Sequence, residues 1–149
     1  MTVRRATRED IPSLCALERE CFSEPWSERG FEDFFALDCT AAFAAVDDGS
    51  GDIVGYAGMY LSGGDGDITN IAVTGNFRRR GVGSALIYAL KDFPGVERLL
   101  LEVRESNRAA RALYERLGFS VDGIRKNFYS SPRENAVLMS LEIKRGQKC

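Results

Sequence analysis

The chain has 149 residues, 44% of them hydrophobic and 28% charged, with a formal net charge of −2. That balance suits one globular domain with its own core, read as spanning 1–149, and excludes a disordered or fibrous chain. Apolar runs such as Thr40 to Val46 are far short of the ~20 residues that cross a bilayer, and the start Met1-Thr2-Val3-Arg4-Arg5 carries no apolar secretory stretch, so no membrane partner and a cytoplasmic location are expected.

Thr2–Arg5 reads as a short first strand. Thr7-x-x-Asp10 is a capping pattern for a helix that tolerates Pro12 in its first turn and carries an apolar stripe of Ile11, Leu14, Leu17 and Cys21. Pro25-Trp26-Ser27 breaks the chain, and Ser27 is the expected N-cap of a second helix that turns Phe31, Phe34 and Phe35 inward. Strands at Ala41–Val46 and Ile53–Leu61 flank the turn Asp47-Asp48-Gly49-Ser50-Gly51-Asp52, and Gly63-Gly64-Asp65-Gly66 leads into a third at Asp67–Val73. The period then changes. Val82, Leu86, Ala89 and Leu90 fit a helix, Leu99–Val103 a strand, Ala109–Leu117 a helix stopped by Gly118, and Phe119–Ile124 and Ala136–Ile143 the last strands. The prediction is an α+β domain: a mixed central sheet, an antiparallel meander followed by β-α-β-α-β-β, and helices on both faces.

Histidine is absent, so a general base must be a carboxylate, Tyr, Lys, Cys or bound water. The cysteines Cys15, Cys21, Cys39 and Cys149 form no C-x-x-C pair; they are read as reduced thiols, and no metal site is expected.

The strand-to-helix link Arg78-Arg79-Arg80-Gly81-Val82-Gly83-Ser84 has the chemistry of an anion site. Glycines let the backbone bend and approach a ligand, first-turn amides and the helix dipole face it, and arginines pair with further phosphates. Taken alone, the same residues also suit a glycine-containing turn beside a solvated basic patch. The spacing is neither a Walker loop nor G-x-G-x-x-G. It resembles the R/Q-x-x-G-x-G/A signature of the GNAT acetyltransferases, in the same strand-to-helix context. The resemblance implies acetyl-CoA as acyl donor. Arg79, Arg80, Gly81, Val82, Gly83 and Ser84 would hold its pyrophosphate, and Ile71, Ala72 and Val73 would lie along the pantetheine. Nucleic acid is not expected as a partner, because the basic cluster is short, the chain is acidic overall and no stacking aromatics accompany it.

A second run, L-E-V-R-E-S-N from Leu101 to Asn107 and then Leu113-Tyr114 and Leu117-Gly118-Phe119, admits two readings from its residues. Glu102 alternates with Leu101 and Val103, as the solvated face of an edge strand would, and Tyr114 could be ordinary helix packing. The run is very similar to the RimI-type subgroup, the ribosomal-protein-alanine N-acetyltransferases. That resemblance implies Glu102 as base, Tyr114 as acid and Asn107 as a cofactor contact. Phe22-Ser23-Glu24-Pro25-Trp26-Ser27 and Arg125-Lys126-Asn127-Phe128-Tyr129 resemble the subgroup's two loops beside the peptide, which makes Trp26 and Tyr129 the expected substrate-binding residues. Phe128 departs from the adjacent tyrosine pair usual there.

The implied activity is acetyl transfer to the α-amine of a protein or peptide, with the N-terminal alanine of ribosomal protein bS18 as the implied target. A peptide α-amine has a reference pKa of about 7.7–8.0, so roughly a tenth to a fifth is neutral near pH 7, against about one in two thousand for lysine at about 10.4. One carboxylate therefore suffices as base for an α-amine. The alternatives are a small amine or a lysine side chain as acceptor, or a non-catalytic domain that binds CoA or a partner.

Overall fold

The computed structural model describes residues 1–143, so Cys149 lies outside the described residues. In chain order it has β1 (Thr2–Arg5), α1 (Ile11–Cys21), α2 (Glu28–Ala36), β2 (Thr40–Val46), β3 (Ile53–Ser62), β4 (Asp65–Val73), α3 (Val82–Lys91), β5 (Arg98–Arg104), α4 (Arg108–Arg116), β6 (Ser120–Ser130) and β7 (Arg133–Glu142). The strands form one seven-stranded sheet in the order β1-β2-β3-β4-β5-β7-β6. All neighbours are antiparallel except β4 and β5, which α3 joins as a parallel pair. This is the mixed sheet with one helical crossover that the change of period predicts.

Local chemistry starts the helices. The Asp10 carboxylate accepts from the Thr7 amide at 2.8 Å and takes both arms of Arg4 at 2.8 and 2.9 Å, fixing the 3-10 turn at Arg8–Asp10 from which α1 continues. Ser27 accepts from the Gly30 amide at 3.0 Å and caps α2. Two apolar layers then cover the sheet. Leu14 and Leu17 of α1 and Phe31 and Phe34 of α2 pack on Ala42, Ala44, Tyr56 and Ala72. On the other face Val82, Leu86, Ile87 and Leu90 of α3 and Tyr114 of α4 pack on Ala57, Met59, Leu101 and Val103.

Three boundaries differ from the sequence expectation. β4 begins at Asp65, because only Gly63 and Gly64 take positive φ; Asp65 and Gly66 already pair with Ser62 and Leu61. β6 runs to Ser130, so Arg125–Tyr129 belongs to a strand and not to a loop. Its pairing with β7 is irregular between Arg125 and Tyr129, where Asn127 sits at φ 54°, and this break hides the alternation expected of a strand. β7 correspondingly starts at Arg133.

Candidate active site

The site begins with a failure of pairing. β4 and β5 are joined only at Asp65–Arg98, Gly66–Leu99 and Asp67–Leu100. Beyond those rungs β4 follows β3 as far as Val73, while β5 follows β7 as far as Arg104. The β4 register slips between Ile68 and Asn70, an irregularity that bends a strand away from its neighbour. The Arg98 guanidinium spans the Asp65 carboxylate at 3.1 and 3.2 Å and pins the closed end of the fork. Between the diverging strands lies a cavity of about 520 Å³, lined from β4 by residues 67–71 and from β5 by residues 101–104.

One end leads to the β4–α3 loop. Gly81 is the N-cap of α3 at φ 80°, ψ 8°, left-handed backbone that glycine adopts without strain. A Cβ there would meet nothing within 4 Å, whereas one on Gly83 would come within 3.1 Å of Leu113 Cδ2. Arg79 also has positive φ, at 63°, and the Arg80 guanidinium stacks on Phe77 at 5.1 Å. Open space at Gly81, first-turn amides and exposed arginines fit an anionic pyrophosphate. Ile71 and Val73 are half-buried on the strand leading there. The side chains of Ala72 and Val82 are buried in the two opposite layers, so these residues can face a ligand only through their backbone.

The other end gathers side chains. Glu102, Tyr114, Trp26, Tyr129 and Asn107, proposed from three separate stretches of sequence, all line the same cavity. Glu102 is half-buried, and its carboxyl is raised above the ordinary value, first by burial and then by the negative charge of Asp67, with Arg125 opposing. Tyr114 is buried against Phe119, with ring centroids 5.7 Å apart, and burial pushes its hydroxyl up to about 12. Tyr114 is therefore both a packing residue and a protonated hydroxyl on the cavity wall. Trp26 shares these two characters. It packs on Phe31 and Phe34 at 5.3 and 5.8 Å, yet stays half-buried at the mouth. The Arg104 guanidinium lies 4.3 Å over the Tyr129 ring and donates to the Ser131 and Pro132 carbonyls at 3.2 and 2.9 Å, which fixes the β6–β7 hairpin beside the cavity. Asn107 has its side-chain oxygen engaged in capping α4, accepting from the Ala110 amide at 3.2 Å.

The two segments at the mouth also touch. The Ser23 hydroxyl donates to the Ser131 carbonyl, and the Ser130 hydroxyl donates to Glu24 at 3.0 Å. Phe128 lines the cavity with its ring against Tyr129, centroids 4.9 Å apart.

Sequence reasoning missed Asp67, Arg104, Asn70 and Glu18. Asp67 reads only as a strand start in the sequence; in the structure it pairs with Leu100 on the last parallel rung and lines the cavity together with Glu102. Glu18 left a usable trace: it lies four residues after Leu14 and three before Cys21, within the apolar stripe of α1. Cys15, Cys21 and Cys39 are free thiols. Among the described residues no cluster of metal-ligating side chains is formed, and no helix is long and apolar enough to cross a membrane.

Residues 11–119 match the Acetyltransferase (GNAT) family. The putative [ribosomal protein bS18]-alanine N-acetyltransferase of Bacillus subtilis (strain 168) is 33% identical over 144 residues, covering 95% of each chain. The Escherichia coli (strain K12) enzyme named [ribosomal protein bS18]-alanine N-acetyltransferase is 34% identical over 152 residues, covering 95% of this chain and 97% of its own. Its species' crystal structure, the ribosomal-protein-S18-alanine N-acetyltransferase, superposes with a TM-score of 0.88 over 99% of this chain and 96% of that one. Arabidopsis thaliana NAA60 in complex with acetyl-CoA, 20% identical with a TM-score of 0.84 over 95% of this chain and 98% of that one, shares the fold. The chain thus belongs to the GNAT family and is an acetyl-CoA-dependent N-acetyltransferase.

Proposed function

We propose that this enzyme acetylates the α-amine of a protein N-terminus, with the N-terminal alanine of ribosomal protein bS18 as its target and the cytoplasm as its place of work. One observation carries the reading: a single opening between β4 and β5 gathers Glu102, Tyr114, Trp26 and Tyr129. Relatives named for that same reaction, similar over nearly the whole chain, support the choice of acceptor.

In this reading the donor supplies an activated thioester carbonyl, and the chain supplies position and protons. The Arg79–Ser84 loop holds the pyrophosphate through amides and guanidinium groups, and the open edge of β4 at Ile71 and Val73 guides the pantetheine into the fork. Trp26 and Tyr129 flank the incoming chain end. Glu102, direct or through water, takes the proton that the amine gives up as the C–N bond forms. Its carboxyl, raised by burial and by Asp67, is a stronger base when ionised than an exposed glutamate. Tyr114, protonated at neutral pH, donates to the sulfur as the C–S bond breaks. Thiolate, with a reference pKa of about 8.5 for cysteine, is a weaker base than this tyrosinate, so the proton is shared during bond breaking and not handed over beforehand.

The test is intact-mass analysis of synthetic peptides incubated with enzyme and acetyl-CoA. An Ala-starting peptide with a free α-amine should gain one acetyl group, while the same peptide with a blocked N-terminus and an internal lysine should not. Faster modification of the lysine peptide would overturn the choice of acceptor.

A further inference from the structure

A carboxylate taken wholly out of water is costly unless several donors replace its hydration, and an apolar residue often serves stability as well. Glu18 of α1 is such a group, fully buried among Leu14, Leu17, Phe31 and Tyr56. Burial pushes its carboxyl up, and three hydrogen bonds oppose that. They come from three different parts of the fold. The Trp26 amide, in the α1–α2 connection, donates at 2.9 Å to one oxygen. The Tyr56 hydroxyl of β3 and the Asn70 amide group of β4 donate at 2.5 and 2.9 Å to the other.

The two oxygens thus hold different things. One fixes the connection that carries Trp26 and forms the mouth of the cavity. The other fixes Asn70, a cavity-lining residue directly after the slipped register where β4 parts from β5. Glu18 itself does not line the cavity. Along the α1–α2 connection, Trp26 is also the residue that packs against the α2 aromatics, so its amide is the point at which the mouth is tied to the sheet.

We propose that Glu18 is a positioning residue of the acceptor site, spacing the Trp26 mouth from the Asn70 wall so that an incoming chain end is directed toward Glu102. The inference rests on the α-amine reading of the cavity. It requires acceptors at both oxygens of Glu18, which take the three donors at once, whereas the glutamine amide group would present its own hydrogens to one side.

The experiment compares wild type with Glu18→Gln, Asn70→Ala and Ile87→Val. Ile87→Val loosens the buried core under α3, away from the cavity, and serves as a control for lost stability. Steady-state kinetics are measured with an Ala-starting peptide and with acetyl-CoA, beside thermal melts. Fluorescence is recorded as well, since Trp26 is the sole tryptophan. Glu18→Gln should raise KM for the peptide about tenfold, the scale of one charged hydrogen bond, with KM for acetyl-CoA within about twofold of wild type. Its Trp26 emission should shift, and Asn70→Ala should raise peptide KM in the same direction. Ile87→Val should lower Tm without moving either KM. Unchanged peptide KM in a folded Glu18→Gln or Asn70→Ala protein would overturn the proposal, as would an equal rise of both KM values or a rise in Ile87→Val. If wild type modifies only a lysine side chain, the proposed acceptor fails, and Glu18 is judged by the same split measured with that lysine peptide.

Discussion

At the β4–α3 end of the cleft the groups proposed to meet a ligand are mostly main-chain ones, amides of the first turn of α3 and left-handed backbone at Arg79 and Gly81, with exposed arginines beside them. At the β5 end they are side chains, from the α1–α2 connection, β5, α4 and β6, meeting in one cavity. The first arrangement asks of the sequence chiefly that certain positions carry no bulk and that cationic side chains stand nearby. The second asks for particular functional groups held at particular places by the packing of distant segments. A donor common to a whole family can be held by backbone, whereas the acceptor must be recognised by side chains. Substitutions at the two ends should therefore fail in different ways.

The largest effect belongs to the acceptor end. Glu102→Gln should lower kcat roughly 10²–10⁴-fold at neutral pH, the range for losing a general base. The deficit should persist above about pH 8, where a peptide α-amine is already mostly neutral, because the proton at issue is the one released as the C–N bond forms. Single-turnover rates across pH check this, and a deficit that vanishes by pH 9 would contradict that role.

The donor end should respond in binding. Gly83→Val adds bulk beside Leu113 at the start of α3, and acetyl-CoA affinity should drop about tenfold or more in a protein that still melts cooperatively. Calorimetric titration with unchanged affinity would contradict the phosphate loop.

A smaller effect sharpens the electrostatics. Asp67 is one of the two causes that raise the Glu102 carboxyl, so Asp67→Asn removes a negative neighbour and should let Glu102 ionise at lower pH. The acid limb of kcat/KM should move down in pH, with rates above that limb changed by about threefold at most. A limb that stays in place or moves upward would show that Asp67 does not act on Glu102.

These two ends also differ in how much the sequence disclosed. The α3 loop is contiguous, and its glycine spacing at a strand-to-helix junction makes an anion site one of two readings of residues 78–84, between which the resemblance to the GNAT signature chooses. Hydrophobic runs, helical periods and turn signals together located the seven strands and four α-helices of the described residues. Legibility ended where geometry is set by long-range pairing. The length of β6 was hidden by the irregular stretch at Arg125–Tyr129, whose charged residues and left-handed Asn127 break the alternation. Asp67 gained a meaning only when the last parallel rung, to Leu100, put it on the wall of the cavity that Glu102 also lines. Glu18 appeared as a polar interruption of a helix stripe, and its three donors lie 8, 38 and 52 residues away in sequence. Tyr114 allowed a packing reading and a functional one; in the structure it and Trp26 are both packed and both line the cavity.

The division of labour between the two ends is tested most directly at Tyr114, the buried hydroxyl proposed to protonate the departing sulfur. Tyr114→Phe keeps the ring that packs on Phe119 and removes only the oxygen. The decisive measurement is steady-state kinetics of this variant with both substrates, under conditions where chemistry limits turnover, with a thermal melt of the same protein. The account predicts a Tm close to wild type, KM for acetyl-CoA little changed, and kcat lowered roughly 10²–10⁴-fold. A folded Tyr114→Phe enzyme with near-normal kcat would contradict it and leave Tyr114 as a packing residue.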